Sequence, residues 1–264
     1  MPQPLYNFQG SAAFAAVAFL SVSLVEGLVV VATVVLLARG RRKIAVRVAG
    51  AGAAAATVYL ATLLAFSFTS RDEVARGGQE KYFCSLDCHI AYSVPRSREA
   101  RSLGEGGGRT AARGVFRVVT VAVRFDEDTI CPRRPRGLAL APNPTRVRLV
   151  DGSGASLAVD PSGQRALEAA EGTQIPLSRP LKPGESYRTE LVFDVPPNAP
   201  DLRLLLTEDL PVTRFLIGHE NSLFHGKVFL ALPGRVVGER SYSTLISAVA
   251  VPVFPVTRSR TLTL

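Results

Sequence analysis

The chain is expected to fold as an N-terminal transmembrane helical hairpin followed by an all-β sandwich. Three observations carry that expectation. Two uninterrupted apolar runs, Ser11 to Ala38 and Val48 to Ser70, occupy the first 70 of 264 residues. A short basic segment separates them. From Gly114 onward the pattern changes to short, β-branched segments punctuated by turn residues.

The first run is 28 residues long with one charge, Glu26, and the second is 23 residues with none. A bilayer span needs about 20 apolar residues, so both qualify. A cleaved signal peptide fits the first run poorly. Met1 to Gly10 carries no Lys or Arg, and the apolar stretch far exceeds the central region of such a peptide. Arg39-Gly40-Arg41-Arg42-Lys43-Ile44-Ala45-Val46-Arg47 has five positive charges and no acid. The positive-inside rule places this loop in the cytoplasm. The N-terminus and everything after Ser70 then lie outside the cytoplasmic (inner) membrane. Gly50, Gly52 and Ala53 to Ala56 suit close helix–helix approach. Glu26, deep in the first span, is costly there. It is expected to be neutral and hydrogen-bonded to Thr57 or Tyr59, or to meet a partner membrane protein.

Arg71 to Lys81 reads as a polar juxtamembrane stretch, and Tyr82 to Val94 holds a Cys/His motif. Arg96 to Arg113, with Gly104-Glu105-Gly106-Gly107-Gly108, reads as a flexible linker. It is no phosphate loop, because it lacks the GK[ST] ending between a strand and a helix. Three units result: the hairpin at 1–70, the juxtamembrane segment and linker at 71–113, and the sandwich at 114–264. Within the last, Val115 to Phe125 alternates with period two. Thr145 to Val150 and Ala155 to Val159 are further strands, and Gln164 to Glu171 is a helical turn. Tyr187 to Val195, Leu202 to Thr207, Lys227 to Leu232 and Ser243 to Val256 complete a set with the turn spacing of a β-sandwich.

The order of strand Phe116–Phe125, turn Asp151-Gly152-Ser153-Gly154, turn Pro180-Leu181-Lys182-Pro183-Gly184-Glu185-Ser186 and strand Leu191-Val192-Phe193-Asp194-Val195-Pro196 resembles a bacterial family. That family comprises extracytoplasmic domains of the telokin-like, immunoprotective-antigen type. The resemblance covers about residues 114–232 and implies an immunoglobulin-like sandwich, often tethered by a membrane segment. It implies no activity.

The net charge is +9, of which the cytoplasmic loop and Glu26 account for nearly half. The remaining Arg are scattered without aromatic interleaving, so nucleic-acid binding is not expected. The lipid bilayer, and another membrane or envelope protein, are the expected partners. No Gly-x-Ser-x-Gly elbow or HExxH helix is present, so a hydrolase is not expected. The acids of Asp126-Glu127-Asp128 and Glu208-Asp209 read as solvated loop charges.

The three histidines fall in two short segments, Cys84-Ser85-Leu86-Asp87-Cys88-His89 and His219-Glu220-Asn221-Ser222-Leu223-Phe224-His225. Thiolate and imidazole suit copper, zinc or iron. Cys84, Cys88, His89, His219, Glu220 and His225 form the candidate metal set, with copper first and electron transfer or metal handling as the role. Such a site requires the two segments to meet, as distant loops do at one end of a sandwich. An outside N-terminus, two spans and an outer β-domain with a Cys-x-x-x-Cys loop also resemble cytochrome oxidase subunit II. In that family the loop comes late in the β-domain, carries a Glu between its cysteines, and is followed by a His and a Met. Here it precedes the domain, and the only Met is Met1. Two other readings stay open. The segment is one residue longer than the Cys-x-x-Cys-His haem-attachment motif. Alternatively Cys84 and Cys88, or either of them with Cys131, form a disulfide in an oxidising compartment and the protein is a non-metal interaction module.

Overall fold

A computed structural model of the chain describes residues 4–76, 78–84, 89–130 and 135–233. Cys88, Cys131 and the expected strand Ser243–Val256 lie outside these residues. A short strand β1 (Leu5–Tyr6) precedes the helices α1 (Ala12–Ala38) and α2 (Arg42–Thr69). Ser11 caps α1 by accepting from the Phe14 N–H, which meets one of the unpaired donors of the first turn. The two helices are long and apolar enough to cross a membrane. They pack closely at Gly52, where a Cβ would lie 2.6 Å from Val29 Cγ1 and 3.1 Å from Glu26 Oε2. Glu26 is therefore at the helix–helix contact, but neither Thr57 nor Tyr59 reaches it. The Thr57 hydroxyl donates to Ala53 O and the Tyr59 hydroxyl to Phe215 O.

The rest of the described chain is a two-sheet sandwich. Its strands are β2 (Glu73–Ala75), β3 (Lys81–Phe83), β4 (Ile90–Leu103), β5 (Thr110–Phe125), β6 (Thr145–Val150), β7 (Ser156–Leu157), β8 (Ser186–Val195), β9 (Arg203–Glu208) and β10 (Val228–Ala231). One sheet has the order β1-β3-β4-β5-β8 and the other β2-β10-β9-β6-β7. Both are mixed: β1 runs parallel to β3 and β2 parallel to β10, while the remaining pairs are antiparallel. The core between them gathers Tyr92, Val121, Phe125, Phe193, Leu204 and Leu206.

The boundaries expected from sequence change in one respect. Arg96 to Arg113 is no linker, because β4 and β5 pair through most of it and form a long hairpin. Its charges sit on a sheet whose other positions are apolar, and Pro95 falls at a register shift between Ser93 and Arg96, where the missing N–H leaves no ladder bond unmade. Residues 71–103 thus belong to the sandwich, as does β1 within the first unit.

β5 is buried on two sides. Val119, Val121, Val123 and Phe125 face the core, while Phe116 and Val118 meet a third helix, α3 (Pro161–Glu171). The helix begins as its sequence requires: Asp160 accepts from the Gly163 N–H at 2.6 Å and Pro161 supplies the first turn. Gly163 permits close packing, since a Cβ there would meet Val192 Cγ1 at 2.7 Å and Phe116 Cε1 at 2.9 Å.

Candidate functional site

The ends of the hairpin set the position of the site. The chain enters α1 from β1 in one sheet and leaves α2 into β2 in the other. The segment from Leu210 to Lys227 lies between these attachments, tied to the entering chain by the Glu220 N–H donating to Asn7 O and the Gln9 N–H donating to Gly218 O. Gly226 abuts the departing chain so closely that a Cβ would meet Arg71 O at 2.4 Å. It is held there by its N–H donating to Ser70 Oγ at 2.7 Å.

A charge network is buried at this junction. Lys81 is fully buried, and its ammonium donates to Glu220 Oε2 at 2.8 Å, Leu206 O at 2.6 Å and Val228 O at 2.8 Å. All three ammonium protons are thereby used. Burial pushes the Lys81 pKa below its ordinary value, and the Glu220 carboxylate opposes that shift. Beside this pair, the Asn221 N–H donates to His219 Nδ1 at 2.9 Å. A neutral His219 then carries its proton on Nε2, which donates to Glu208 Oε2 at 3.2 Å. Asn7 connects the two expected metal segments: its Oδ1 accepts from the Cys84 N–H at 2.8 Å, and its side-chain nitrogen lies 3.4 Å from His219 Nε2. In this tautomer the latter is a contact between two donors and not a hydrogen bond.

The metal reading requires the Cys84 and His219 segments to approach; Asn7 touches both, but among the described residues their side chains do not converge as ligands. Cys84 is buried in an apolar cluster with Phe8, Ala12, Tyr82 and Ala91. Its sulfur is disulfide-bonded. His89 stacks on Phe125, with Nδ1 2.6 Å from the Thr129 hydroxyl. Among the described residues no group of three or more His, Cys, Asp or Glu is arranged to hold a metal ion.

His225 and Glu220 present one further feature. His225 Nδ1–H donates to Gly226 O at 2.8 Å, which leaves Nε2 as an acceptor. That atom and Glu220 Oε1 are buried without a hydrogen-bond partner, and both residues line one cavity of about 130 Å³ with Tyr6, Gln9, Arg71 and Glu73. Burial holds the His225 pKa below its ordinary value, with Lys227 and His219 adding to the effect and the Gly226 carbonyl and Glu220 opposing it.

Two expectations about acids are corrected. Glu208 is buried and bonded to His219 and Asn143, whereas its neighbour Asp209 pairs with Arg146 at an exposed position. Asp126 is buried too. Burial would raise its pKa, but the Tyr82 hydroxyl and the Arg124 guanidinium hold it below the usual carboxylate range. Lys81, Asn7 and Glu208 are the members that sequence reasoning missed. Their partners lie elsewhere in the chain: Lys81 and Glu220 are 139 positions apart.

No family model matches this chain, and no curated protein does. Two solved structures show some similarity. A conserved hypothetical protein from Bacillus anthracis is 18% identical, with 45% of this chain and 81% of that one covered, at a TM-score of 0.35. An uncharacterized β-sandwich protein from Clostridium difficile 630 is 9% identical, with 62% and 96% covered, at a TM-score of 0.31.

Proposed function

We propose that this chain is a membrane-anchored, non-enzymatic binding or accessory module. Its sandwich is held at the extracytoplasmic face of the cytoplasmic membrane, where it works with another membrane or envelope protein. The observation that carries the reading is the double attachment. The strand before the hairpin joins one sheet and the strand after it joins the other, without an intervening linker. A sandwich mounted in this way has a set height and angle over the bilayer, which suits a module that presents a surface to a neighbour. Immunoglobulin-like kinship for residues 114–232 and the subunit II-like hairpin belong to the same proposal. The parallel pairing of β1 with β3 and of β2 with β10 departs from the all-antiparallel sheets of the immunoglobulin pattern.

Two measurements test this reading. Alkaline extraction of membranes should leave the chain in the pellet. Protease added to spheroplasts should remove the sandwich, and the sandwich should be protected in inverted vesicles. Release by alkali, or the opposite protection pattern, overturns the reading. A photoreactive residue at exposed Leu138 or Val74 should then cross-link a membrane or envelope protein in cells.

The disulfide at Cys84 favours the non-metal form of this module, because a bonded sulfur offers neither a thiolate to copper nor a thioether to haem. One observation keeps a second reading, a small-cation site: the two unpartnered acceptors of Glu220 and His225 on a shared cavity. Lys81, bonded to Glu220, and Lys227, whose ammonium donates to Glu220 O, oppose a divalent ion there. Calorimetric titration with zinc and with copper decides the matter. Binding that His225→Ala abolishes supports the cation site, and no heat from either metal removes it.

A further inference from the structure

We propose that the segment Pro211–Phe224 is a lipid-inserted wedge whose outer face sits in the outer leaflet of the bilayer. The inference rests on the reading that the hairpin spans the membrane with the sandwich outside.

The first argument is an inverted distribution of side chains. Thr213, His219, Glu220 and Ser222 are buried, while Val212, Phe215, Leu223 and Phe224 are exposed. The buried polar groups form a scaffold within the segment. The Thr213 hydroxyl donates to Leu210 O at 2.6 Å, the Asn221 amide donates to Glu208 O at 2.7 Å, and the Ser222 hydroxyl donates to Leu216 O. The apolar groups are therefore held outward by a bonded framework. Exposed apolar side chains gathered on one bonded segment mark a candidate interaction site.

The second argument is continuity with the hairpin. Phe215 stacks on Phe19 of α1 at 6.4 Å, and Phe224 stacks on Phe68 of α2 at 5.6 Å. The Tyr59 hydroxyl donates to Phe215 O at 2.6 Å. The outer face of the segment thus extends an apolar surface that already belongs to the spans.

Depth is the third argument. At 1.5 Å per residue α1 and α2 are each about 40 Å long, against about 30 Å of hydrocarbon. Arg39, Arg41, Arg42 and Lys43 fix the inner end, so roughly 10 Å of each helix remains at the outer interface. Phe19 and Tyr59 lie about 10 to 15 Å from the outer helix ends. That puts Phe215 at the boundary between headgroups and acyl chains. Arg214, exposed beside it, is suited to a lipid phosphate.

Phe224 adds a local signature. It is 73% exposed and has a φ of +63°, a left-handed conformation that is unusual for a bulky residue. A bulky residue kept in that conformation without burial marks a functional position.

The chain has no Trp, so single tryptophans report depth without background. The full chain carrying Phe215→Trp or Val212→Trp would be reconstituted in phosphatidylcholine/phosphatidylglycerol vesicles with bromines placed shallow or deep on the acyl chains. Leu28→Trp, on exposed α1 surface, serves as the span control, and Leu138→Trp as the solvent control. Shallow bromines should quench the Phe215→Trp and Val212→Trp variants about twofold. Deep bromines should quench Leu28→Trp, and Leu138→Trp should be unaffected. A quenched Leu28→Trp with both loop tryptophans unquenched overturns the wedge but leaves the span, and then favours a partner protein on this surface. An unquenched Leu28→Trp overturns the spanning reading and the wedge with it.

Discussion

The covering of β5 by α3 and the junction under the Pro211–Phe224 segment are built on opposite plans. Under α3, toward the far end of the β4–β5 hairpin from β1, Phe116, Val118, Leu167 and Val192 are buried, while Arg165 and Glu171 are exposed. At the junction Lys81, Glu208, His219 and Glu220 are buried, while Phe215, Leu223 and Phe224 are exposed. The first arrangement gains its stability by removing apolar surface from water. The second encloses charges, whose desolvation must be offset by close pairing and complete hydrogen bonding. It exposes groups that water does not favour. A single domain holding both arrangements has surfaces fitted to two different surroundings, which is what the proposed seat on a bilayer would require.

The largest expected effect breaks the junction. Lys81→Ala leaves Glu220 buried without its cation and should cost about 3–5 kcal/mol, read by thermal or urea unfolding of the detergent-solubilised chain. Pairing Lys81→Met with Glu220→Leu should recover much of that loss. If Lys81→Ala is silent, the network is not what holds the junction together. On the apolar side, Leu167→Ala should cost about 2–5 kcal/mol through the cavity it leaves. Unlike the junction variants, it should leave the attachment of the hairpin unchanged, as judged by protease accessibility at Gln9 and Arg71.

Gly163→Ala is the overpacking counterpart. Its Cβ meets Val192 and Phe116 below 3.0 Å, and the expected loss is about 1–3 kcal/mol. A neutral result would mean that α3 can shift outward, and that this cluster is the looser of the two.

The smallest effect is a pH dependence at the junction. His225 is held neutral by burial, with a pKa below the ordinary 6.5. The unfolded chain therefore binds a proton at a higher pH than the folded one. Stability from this group is full above about 6.5 and falls as pH drops through the lowered folded value. His225→Gln should flatten that part of the curve. The losses from Asp126 and Asp194, whose pKa values lie below the ordinary 3.8, fall in a separate and more acidic window. A melt series from pH 8 to pH 4 on both proteins measures the difference.

Much of the fold was legible because it is locally encoded. The apolar run from Ser11 to Ala38 anticipated α1 and the alternation in Val115–Phe125 anticipated β5, whereas α3 begins at Pro161, three residues before the helical turn expected at Gln164. The charged half of β4 was read as a linker because Arg and Glu on an exposed sheet face look the same in sequence as Arg and Glu in a loop. The site was only partly legible. The Cys/His segments do lie near one another, since Asn7 touches both the Cys84 N–H and His219 Nε2, but among the described residues their side chains do not gather as ligands. Lys81 and Glu208 gave no signal, since a charge reveals its burial only when its partner is known.

By itself the sequence determined the two apolar helices, the basic turn between them and the strands of the sandwich from β5 onward. Span length, charge and side-chain alternation act within a few residues of one another. Only the tertiary structure decided that β1 and β2 join different sheets, that Lys81 meets Glu220, and that the loop beside the hairpin turns its polar groups inward. Desolvation and pairing depend on which distant segments come into contact, and no local pattern specifies that.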